Sequence, residues 1–324
     1  MSKTDAIRLN MAGLPVIQTI EDLSELTHIS KYTIFQLSKN SNKNYKSYTI
    51  PKKSGKLRTI NQPSKKLKGL QSWILINILN KLKVSSSCKG FEKESSIAKN
   101  AEPHIGANTV LTIDLKDFFP TVKQKQVFNI FKAIGYNNVI AVILTNICTY
   151  EDALPQGSPC SPKLANLSAW QLDVRIQGYV GRRGINYTRY ADDLSFSGLS
   201  PVKVVQILPM IKKIVEDEEF KINPAKTRIA GSSRAKIVTG LVLSGETFGI
   251  GKRTYKNVRA KIHHLTLAKE QANIKLLYQV NGWLAYLKSV DPKRLNKALK
   301  YIKELADKYP KTLVTKLVMP IMQQ

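Results

Sequence analysis

Two adjacent aspartates, Asp192 and Asp193, stand in the stretch "NYTRYADDLSFSG", where β-forming residues dominate. A third, Asp114, interrupts the apolar stretch "VLTIDL". Like charges held close together repel, and a buried aspartate without a partner costs several kcal/mol. Divalent cations bound by carboxylate oxygens would relieve both costs. We therefore expect neighbouring strands to place the three aspartates around two Mg²⁺ ions, an arrangement that suits in-line phosphoryl transfer.

The charge of the chain indicates what its substrate could be. Among 324 residues there are 51 Lys and Arg but only 23 Asp and Glu, which gives a formal net charge of +28. Such an excess exceeds what solubility requires and favours a polyanionic partner, most simply nucleic acid. A membrane surface and an acidic protein are the alternatives. A hydrophobic content of 43% is typical of a globular chain and not of a disordered one.

The cellular location of the protein is predicted from three features that the sequence lacks: a membrane span, a signal peptide and paired cysteines. No apolar run approaches the roughly 20 residues of a membrane span, and the N-terminus has no signal-peptide core. Cys88, Cys148 and Cys160 form no C-x-x-C pair, so we expect reduced thiols and a cytoplasmic protein. The histidines are too scattered to suggest a zinc site.

The first 105 residues have helical patterns around one basic hairpin. "EDLSELTHISKYTIFQLSKN" predicts two packed helices, with a helix-turn-helix element as the alternative. "YKSYTIPKKSGKLRTINQPS" predicts two strands joined by a turn at Ser54-Gly55. The amphipathic stretch "KKLKGLQSWILINILNKLK" predicts the helix that follows.

Residues 106–245 alternate between strand and helix patterns. "NTVLTIDLKDFF" predicts a strand, followed by a helix with Pro120 near its start and Gly135 at its end. The aspartate pair lies in a turn between two short strands. Two further helices and a β-hairpin are predicted by "SPCSPKLANLSAWQLDVRIQGY", "SPVKVVQILPMIKKIVEDEEF" and "RIAGSSRAKIVTGLVLSGETFGI". This order predicts an α/β (α+β) domain built on a split βαβ sheet.

Residues 246–324 are helical and strongly basic. In "GKRTYKNVRAKIHHL" two stripes follow the helical period. The apolar stripe consists of Tyr255, Val258, Ile262 and Leu265. The basic stripe consists of Lys252, Lys256, Arg259 and His263. A solvated helix face is one interpretation of the basic stripe. With this net charge we favour contact with a phosphate backbone.

Several stretches together resemble the motifs of reverse transcriptases. "TIDLKDFFPTV", "LPQGSPCSPKLANL" and "YADD" resemble the palm motifs and occur in the family's order. "GKLRTINQPS" resembles the fingers motif, and "FKINPAKTRI" resembles the palm motif that carries a lysine. The resemblance covers about residues 50–245. It implies a right-hand polymerase with N-terminal helices and fingers (1–105), a catalytic palm (106–245) and a helical, RNA-binding thumb (246–324).

Two shorter motifs narrow the resemblance to the reverse transcriptases of bacterial retrons. "NAEPH" at residues 100–104 is similar to their NAxxH motif, and "VTG" at residues 238–240 to their VTG triplet. Such enzymes copy a noncoding RNA (msr-msd) encoded beside them, starting from the 2′-hydroxyl of a guanosine, and yield branched msDNA. The resemblance implies further partners and a further role: a host ribonuclease H that acts on the same template, an effector or toxin protein, and antiviral defence against phage.

The resemblance also implies roles for individual residues. Asp114, Asp192 and Asp193 match the catalytic, metal-binding aspartates, with Asp114 and Asp192 binding both Mg²⁺ ions. Tyr190 matches the aromatic residue near the primer end. Five residues match contacts to the incoming deoxynucleotide: Lys56 and Arg58 clamp the triphosphate, Phe119 is the steric gate against a 2′-hydroxyl, Gln156 contacts the nucleotide, and Lys226 protonates the pyrophosphate. Asn100 and His104 of the NAxxH motif join the basic stripe as expected RNA contacts.

Two alternatives remain at this point. The first is another bacterial reverse transcriptase, intron-encoded or diversity-generating, against which "NAEPH" and "VTG" argue. The second is an RNA-binding scaffold without catalysis, against which the three intact aspartates argue, because a binding module has no need to bear their repulsion.

Overall fold

The computed structural model describes residues 3–51, 55, 57–267 and 274–317. The chain forms two compact units, which are described separately. The first contains Met1–Glu94, Ile113–Leu194 and Gln206–Thr227, and the second contains Ser95–Thr112, Ser195–Val205 and Arg228–Gln324. Among the described residues, no helix combines the length and the apolar character that crossing a bilayer requires.

The N-terminal helices are α1 (Lys3–Met11), α2 (Ile20–Thr27) and α3 (Lys31–Lys39). The Thr19 side chain caps α2 by accepting from the Asp22 amide, and Asp22 bonds back to the Thr19 amide in a capping box. Ser30 caps α3 by accepting from Thr33 N. α2 packs on α3, which confirms the two predicted helices.

The predicted hairpin is present. β1 (Tyr45–Pro51) pairs antiparallel with β2 (Leu57–Pro63) over its whole length. Of the predicted turn, Ser54 lies outside the described residues, and Gly55 has a φ of +79° that suits glycine. The predicted amphipathic helix follows as α4 (Lys65–Asn77), capped by Ser64.

The stretch after "VLTIDL" differs from its prediction. After α5 (Ile97–Ala101) comes β3 (Thr109–Leu115), and then two helices stand where one was expected, α6 (Phe118–Thr121) and α7 (Gln124–Ala133). Val122 is extended between them, so Pro120 belongs to the short α6 and the long helix begins at Gln124. The helix α8 (Asn138–Cys148) follows.

Two more predicted single helices are each divided. α9 (Ser161–Ser168) and α10 (Trp170–Gly181) are separated by Ala169. α11 (Pro201–Gln206) and α12 (Leu208–Asp217) are separated at Ile207. Pro209 lies in the first turn of α12, where its missing N–H breaks no intrahelical hydrogen bond.

A four-stranded sheet brings the catalytic motifs together. β4 (Asn186–Tyr190), β5 (Asp193–Gly198) and β6 (Ile222–Ala230) join β3 in the order β4-β5-β3-β6. Leu115 N donates to Asp192 O at 2.8 Å, and Asn108 N donates to Gly198 O at 3.1 Å. These two hydrogen bonds lie at opposite ends of the two strands, which corresponds to antiparallel pairing of β3 with β5. Strands with α-helical connections between them agree with the predicted α+β class.

After β6, the described part of the second unit contains small strands and three long helices around one core. The strands β7 (Ile237–Val238), β8 (Leu241–Ser244) and β9 (Thr247–Gly249) form the predicted β-structure after β6. The helices are α13 (Gly251–His264), α14 (Ile274–Val290) and α15 (Pro292–Lys308). Their buried apolar side chains form one cluster, which includes Val238, Leu241, Val258, Ile262, Val280, Leu287 and Ile302.

Candidate active site

The sheet places Asp114 beside the aspartate pair. The side chain of Asp114 is buried at 6% exposure. β6 supplies two hydrogen-bond donors to Asp114: Lys226 Nζ donates to Oδ1 at 2.5 Å, and Asn223 Nδ2 donates to Oδ2 at 3.3 Å. The hydrogen bond between Leu115 N and Asp192 O fixes the aspartate pair on the neighbouring strand. Asp114 and the aspartate pair therefore lie at the same end of two paired strands, close enough for their charges to interact.

The carboxylates of the pair are held in an environment that disfavours their charge. Burial raises the pKa of Asp192, and the Asp114 charge raises it further, while Lys226 and Arg58 lower it. Desolvation, followed by the charges of Asp192 and Asp114, raises the pKa of Asp193 to about 6. Because the charges of Asp114 and Asp192 act on neighbouring carboxylates, a cation bound between them would be stabilised.

The donor chemistry of the site suits Mg²⁺, which prefers carboxylate oxygens. In the parts of the chain that the structure describes, however, no three His, Cys, Asp or Glu side chains are grouped so that they could hold a metal ion. Lys226 holds one oxygen of Asp114 by an ion pair. An ion bound by Asp114 and Asp192 would thus take over the electrostatic role that the Lys226 ammonium fills in this conformation.

A buried ionic network holds the turn between β4 and β5 from the protein interior. It consists of Arg189, Asp173, Asn166 and Tyr187. Arg189, with 0% exposure, donates to Asp173 at 2.8 and 2.7 Å, to Asn166 Oδ1 at 3.0 Å and to the carbonyl of Ala191 at 3.1 Å. Tyr187 OH donates to Asp173 Oδ1 at 2.8 Å. Ala191 has a φ of +56°, which is costly for a residue with a side chain. The network therefore holds a strained turn in place.

This network was not predicted from the sequence. The signal that could have found it is the position of Arg189 in a strand pattern, two residues after Tyr187 and two before Ala191. A cation in a buried strand needs an acidic partner. Asp173 could have been proposed as that partner, since it interrupts the apolar pattern of the helix that precedes β4.

The expected aromatic residues lie beside this turn. Tyr190 and Phe119 are both half-buried. The ring of Phe119 lies 5.7 Å from that of Phe118, and a further ring, that of Phe91, lies beside both Phe119 and Tyr190. The residue matched to the steric gate and the residue matched to the primer end thus lie beside the same ring, that of Phe91.

The fingers hairpin approaches the same edge. Arg58 is exposed and close enough to Asp192 to lower its pKa. Gln156 is half-buried, and its carbonyl accepts from Asn61 N of β2 at 2.8 Å. Gly157 has a φ of +136°, and a Cβ there would lie 2.6 Å from Asn61 O, so the loop requires glycine. Lys56, also expected to bind the triphosphate, lies outside the described residues.

The residues of the "NAEPH" motif lie inside the second unit. Asn100 and His104 both have 0% exposure. Asn100 Nδ2 donates to Thr239 Oγ1 of the "VTG" triplet at 3.4 Å, and His104 Nδ1 lies 2.7 Å from Ser197 Oγ. Burial lowers the pKa of His104 to about 4. Their positions do not support the direct RNA contact that we expected, because neither side chain reaches the surface. Asn100 instead joins the two motifs internally.

The two stripes of α13 are arranged as their spacing predicts. Val258, Ile262 and Leu265 are buried and Tyr255 is half-buried, whereas Lys252, Lys256, Arg259 and His263 are exposed. The Arg259 guanidinium lies 4.3 Å from the centre of the Tyr301 ring on α15. His263 Nδ1 lies 3.0 Å from Tyr301 OH. The basic stripe is therefore an accessible surface, and part of it is ordered by an aromatic side chain.

Comparison with known proteins agrees with this geometry. Residues 50–258 match the family model described as reverse transcriptase (RNA-dependent DNA polymerase). The matched segment contains all three aspartates, the second strand of the fingers hairpin and the first part of α13. This match defines the class: an RNA-directed DNA polymerase of the right-hand type.

Similarity over nearly the whole chain is more specific. The chain is 47% identical to the Retron Ec86 reverse transcriptase of Escherichia coli, over 96% of this chain and 97% of that protein. It is 32% identical to the Retron Mx65 reverse transcriptase of Myxococcus xanthus, over 90% of this chain and 72% of that one. It is 30% identical to the Retron Mx162 reverse transcriptase of Myxococcus xanthus, over 92% and 69%. The chain belongs to the retron reverse transcriptases.

Among solved structures, telomerase from Candida albicans in complex with a fragment of telomeric RNA matches with a TM-score of 0.49 and 12% identity. This match covers 81% of this chain and 59% of that one.

Proposed function

We propose that this retron reverse transcriptase copies a noncoding RNA encoded beside its own gene. Synthesis begins at the 2′-hydroxyl of a guanosine in that RNA and yields branched msDNA. The observation that carries the catalytic part is the meeting of Asp114 with Asp192 and Asp193 on paired strands, with Lys226 bonded to Asp114. The retron relatives support the choice of template and product.

Asp114 and Asp192 would hold two Mg²⁺ ions, with Asp193 supporting them. When bound, the ions activate the attacking hydroxyl and stabilise the leaving oxygen of the in-line displacement. The raised pKa of both members of the aspartate pair supports this assignment, because each carboxylate gains stability from an added cation.

The side chains around the aspartates would position a deoxynucleoside triphosphate. Arg58 offers a planar guanidinium to the triphosphate. Gln156 lies on the loop that is bonded to the same hairpin, so one element orients both residues. Phe119 would lie under the sugar, where its ring would exclude a 2′-hydroxyl. Tyr190 would lie beside the primer end.

Lys226 would supply a proton to the leaving group. Its hydrogen bond with Asp114 raises the pKa of its ammonium, so the group is charged when a nucleotide enters. Its side chain is 59% exposed, which leaves the ammonium free to move toward the triphosphate. There it would donate a proton to the pyrophosphate oxygen as the bond to the α-phosphorus breaks.

The basic stripe of α13 would bind the structured RNA. Structured RNA is recognised mainly through shape, phosphates and 2′-hydroxyls. Lys252, Lys256 and Arg259 are exposed along one face and could follow a phosphate backbone. A host ribonuclease H acting on the template, an effector or toxin protein, and a role in phage defence complete the proposal; their support is the similarity to retron enzymes.

One experiment tests this function. The protein is expressed with its native flanking DNA, and the nucleic acid bound to the purified protein is analysed before and after ribonuclease and debranching treatment. We expect a short single-stranded DNA joined to RNA through a debranchable 2′ linkage. Linear DNA without a branch would instead indicate another lineage of reverse transcriptase. RNA without DNA would indicate a binding role.

A further inference from the structure

Phe91 combines two unusual properties. Its φ of +59° lies in the left-handed region, which a bulky side chain rarely adopts. Its side chain is also 49% exposed, so burial of the ring does not compensate for the backbone conformation. Strained residues of this kind concentrate at functional sites, where the surrounding structure enforces them.

The backbone around Phe91 is fastened to the catalytic turn. Lys89 N donates to Arg189 O at 2.7 Å, and Arg189 N donates to Ser87 O at 2.8 Å. Gly90 lies so close to the turn that a Cβ there would be 2.5 Å from Ala191 N. Asn166 Nδ2, which belongs to the network behind the turn, donates to Gly90 O at 2.8 Å.

Glu92, the residue after Phe91, is also held by hydrogen bonds of its side chain. Glu92 accepts from Lys163 Nζ at 2.6 Å and from Asn166 Nδ2 at 3.1 Å. Phe91 therefore projects from a segment that is bound on both sides, and the position of its ring is determined by the same network that supports Ala191.

The ring of Phe91 touches both aromatic residues of the candidate site. Its centre lies 6.2 Å from that of Phe119 and 6.5 Å from that of Tyr190, with interplanar angles of 44° and 39°. These separations are within the range of interacting aromatic pairs. Phe119 is thus flanked by the buried Phe118 on one side and by the exposed Phe91 on another.

We propose that Phe91 is a specificity-determining residue that positions the Phe119 ring against the sugar of the incoming nucleotide. This inference rests on the proposed polymerase function. Without Phe91, the ring of Phe119 would keep Phe118 as a neighbour but could turn toward the vacated space. If the Phe119 ring turns away from the sugar, a ribonucleotide with its 2′-hydroxyl can enter the site. Discrimination between deoxynucleotides and ribonucleotides would then fall, even though Phe119 itself is intact.

The test is a double-mutant cycle on sugar discrimination. The ratio of kcat/KM for dGTP to that for GTP is measured in a primer-extension assay with wild type, Phe91→Ala, Phe119→Ala and the double variant. We expect Phe91→Ala to lower the ratio about tenfold and Phe91→Tyr to preserve it. In the Phe119→Ala background, removal of Phe91 should change the ratio no further, because its effect passes through Phe119.

Phe35→Ala is the matched control, since Phe35 is 48% exposed on α3 and should leave the ratio at its wild-type value. An equal loss with both nucleotides in Phe91→Ala would mean a structural role and would overturn the inference. Independent, additive losses in the double variant would overturn it as well. Absence of DNA synthesis by the wild type would overturn the proposed function, whereas synthesis with an unchanged ratio in Phe91→Ala overturns this inference alone.

Discussion

Arg189 Nη1 donates a hydrogen bond to the carbonyl oxygen of Ala191 at 3.1 Å, from a position with no solvent exposure. The residue that follows Ala191 is the catalytic candidate Asp192. The backbone of the turn is therefore fixed from the interior by a guanidinium whose charge Asp173 balances in the core. The position of the Asp192 carboxylate therefore depends on the buried Arg189–Asp173 ion pair, which does not contact the substrate.

Removing this guanidinium should destabilise the fold. Arg189→Met leaves Asp173 with a buried charge, for which we expect a loss of about 3–5 kcal/mol in the free energy of unfolding. Arg175→Met is the matched control, because Arg175 pairs with Asp217 and Glu218 at the surface. The control should change the free energy of unfolding far less, because a solvent-exposed ion pair contributes little to stability. Urea unfolding measures both, and equal effects would contradict the structural role of Arg189.

Burial of His104 should make stability depend on pH. Its pKa of about 4 in the folded protein lies below the ordinary value of 6.5. The unfolded chain therefore binds more protons between these values, so this contribution is fully present above pH 6.5 and is lost as the pH falls toward 4. Its size is about 3 kcal/mol.

The measurement for His104 compares denaturant unfolding of wild type and His104→Gln at neutral and acidic pH. Glutamine can still hydrogen-bond Ser197 but does not titrate. We expect the wild type to lose more stability than the variant between pH 6.5 and 4. Parallel losses would show that His104 is not the titrating group.

Lys226 should contribute to the chemical step. If it donates the proton to pyrophosphate, Lys226→Met should lower the single-turnover rate of nucleotide addition about 100-fold. Lys221→Met is the control, since Lys221 is also exposed and stands just before β6, whereas Lys226 pairs with Asp114. A comparable rate for the two variants would remove Lys226 from the reaction.

The basic stripe should set the salt dependence of RNA binding. Lys256→Gln with Arg259→Gln removes two exposed charges, so the slope of log K against log[salt] should become shallower by about 1.5. Lys203→Gln with Lys212→Gln, on α11 and α12, changes the net charge equally and should leave the slope unchanged. Filter binding at several salt concentrations gives both slopes. An unchanged slope in the first variant would make the stripe a solvated face.

Much of the site follows from the sequence because the constraints are local. Two carboxylates in a short turn and a third in an apolar strand predict neighbouring strands, and β3 and β5 are neighbours in the sheet. The stripes of α13 follow from helical period alone. The family motifs then assign roles to residues whose amino-acid types alone would indicate no function.

Other features depend on tertiary packing that the sequence does not display. The helix expected from Pro120 is interrupted because Val122 adopts an extended conformation, and its amide bonds Phe119 O instead of continuing the helix. Asn100 and His104 were expected at an RNA surface, but both are buried. The sequence does not predict a role for Phe91, because only the folded chain shows its backbone conformation and its two aromatic neighbours.

We propose that the aspartates perform catalysis and are not needed for RNA binding. The variant Asp192→Asn with Asp193→Asn keeps the size of both side chains and removes both charges. Primer extension and RNA affinity are measured on the same preparation. We predict that DNA synthesis falls at least about 1,000-fold, equivalent to about 4 kcal/mol in the activation barrier, while RNA affinity stays within about twofold of wild type. Retained synthesis, or a matching loss of RNA binding, would contradict the account.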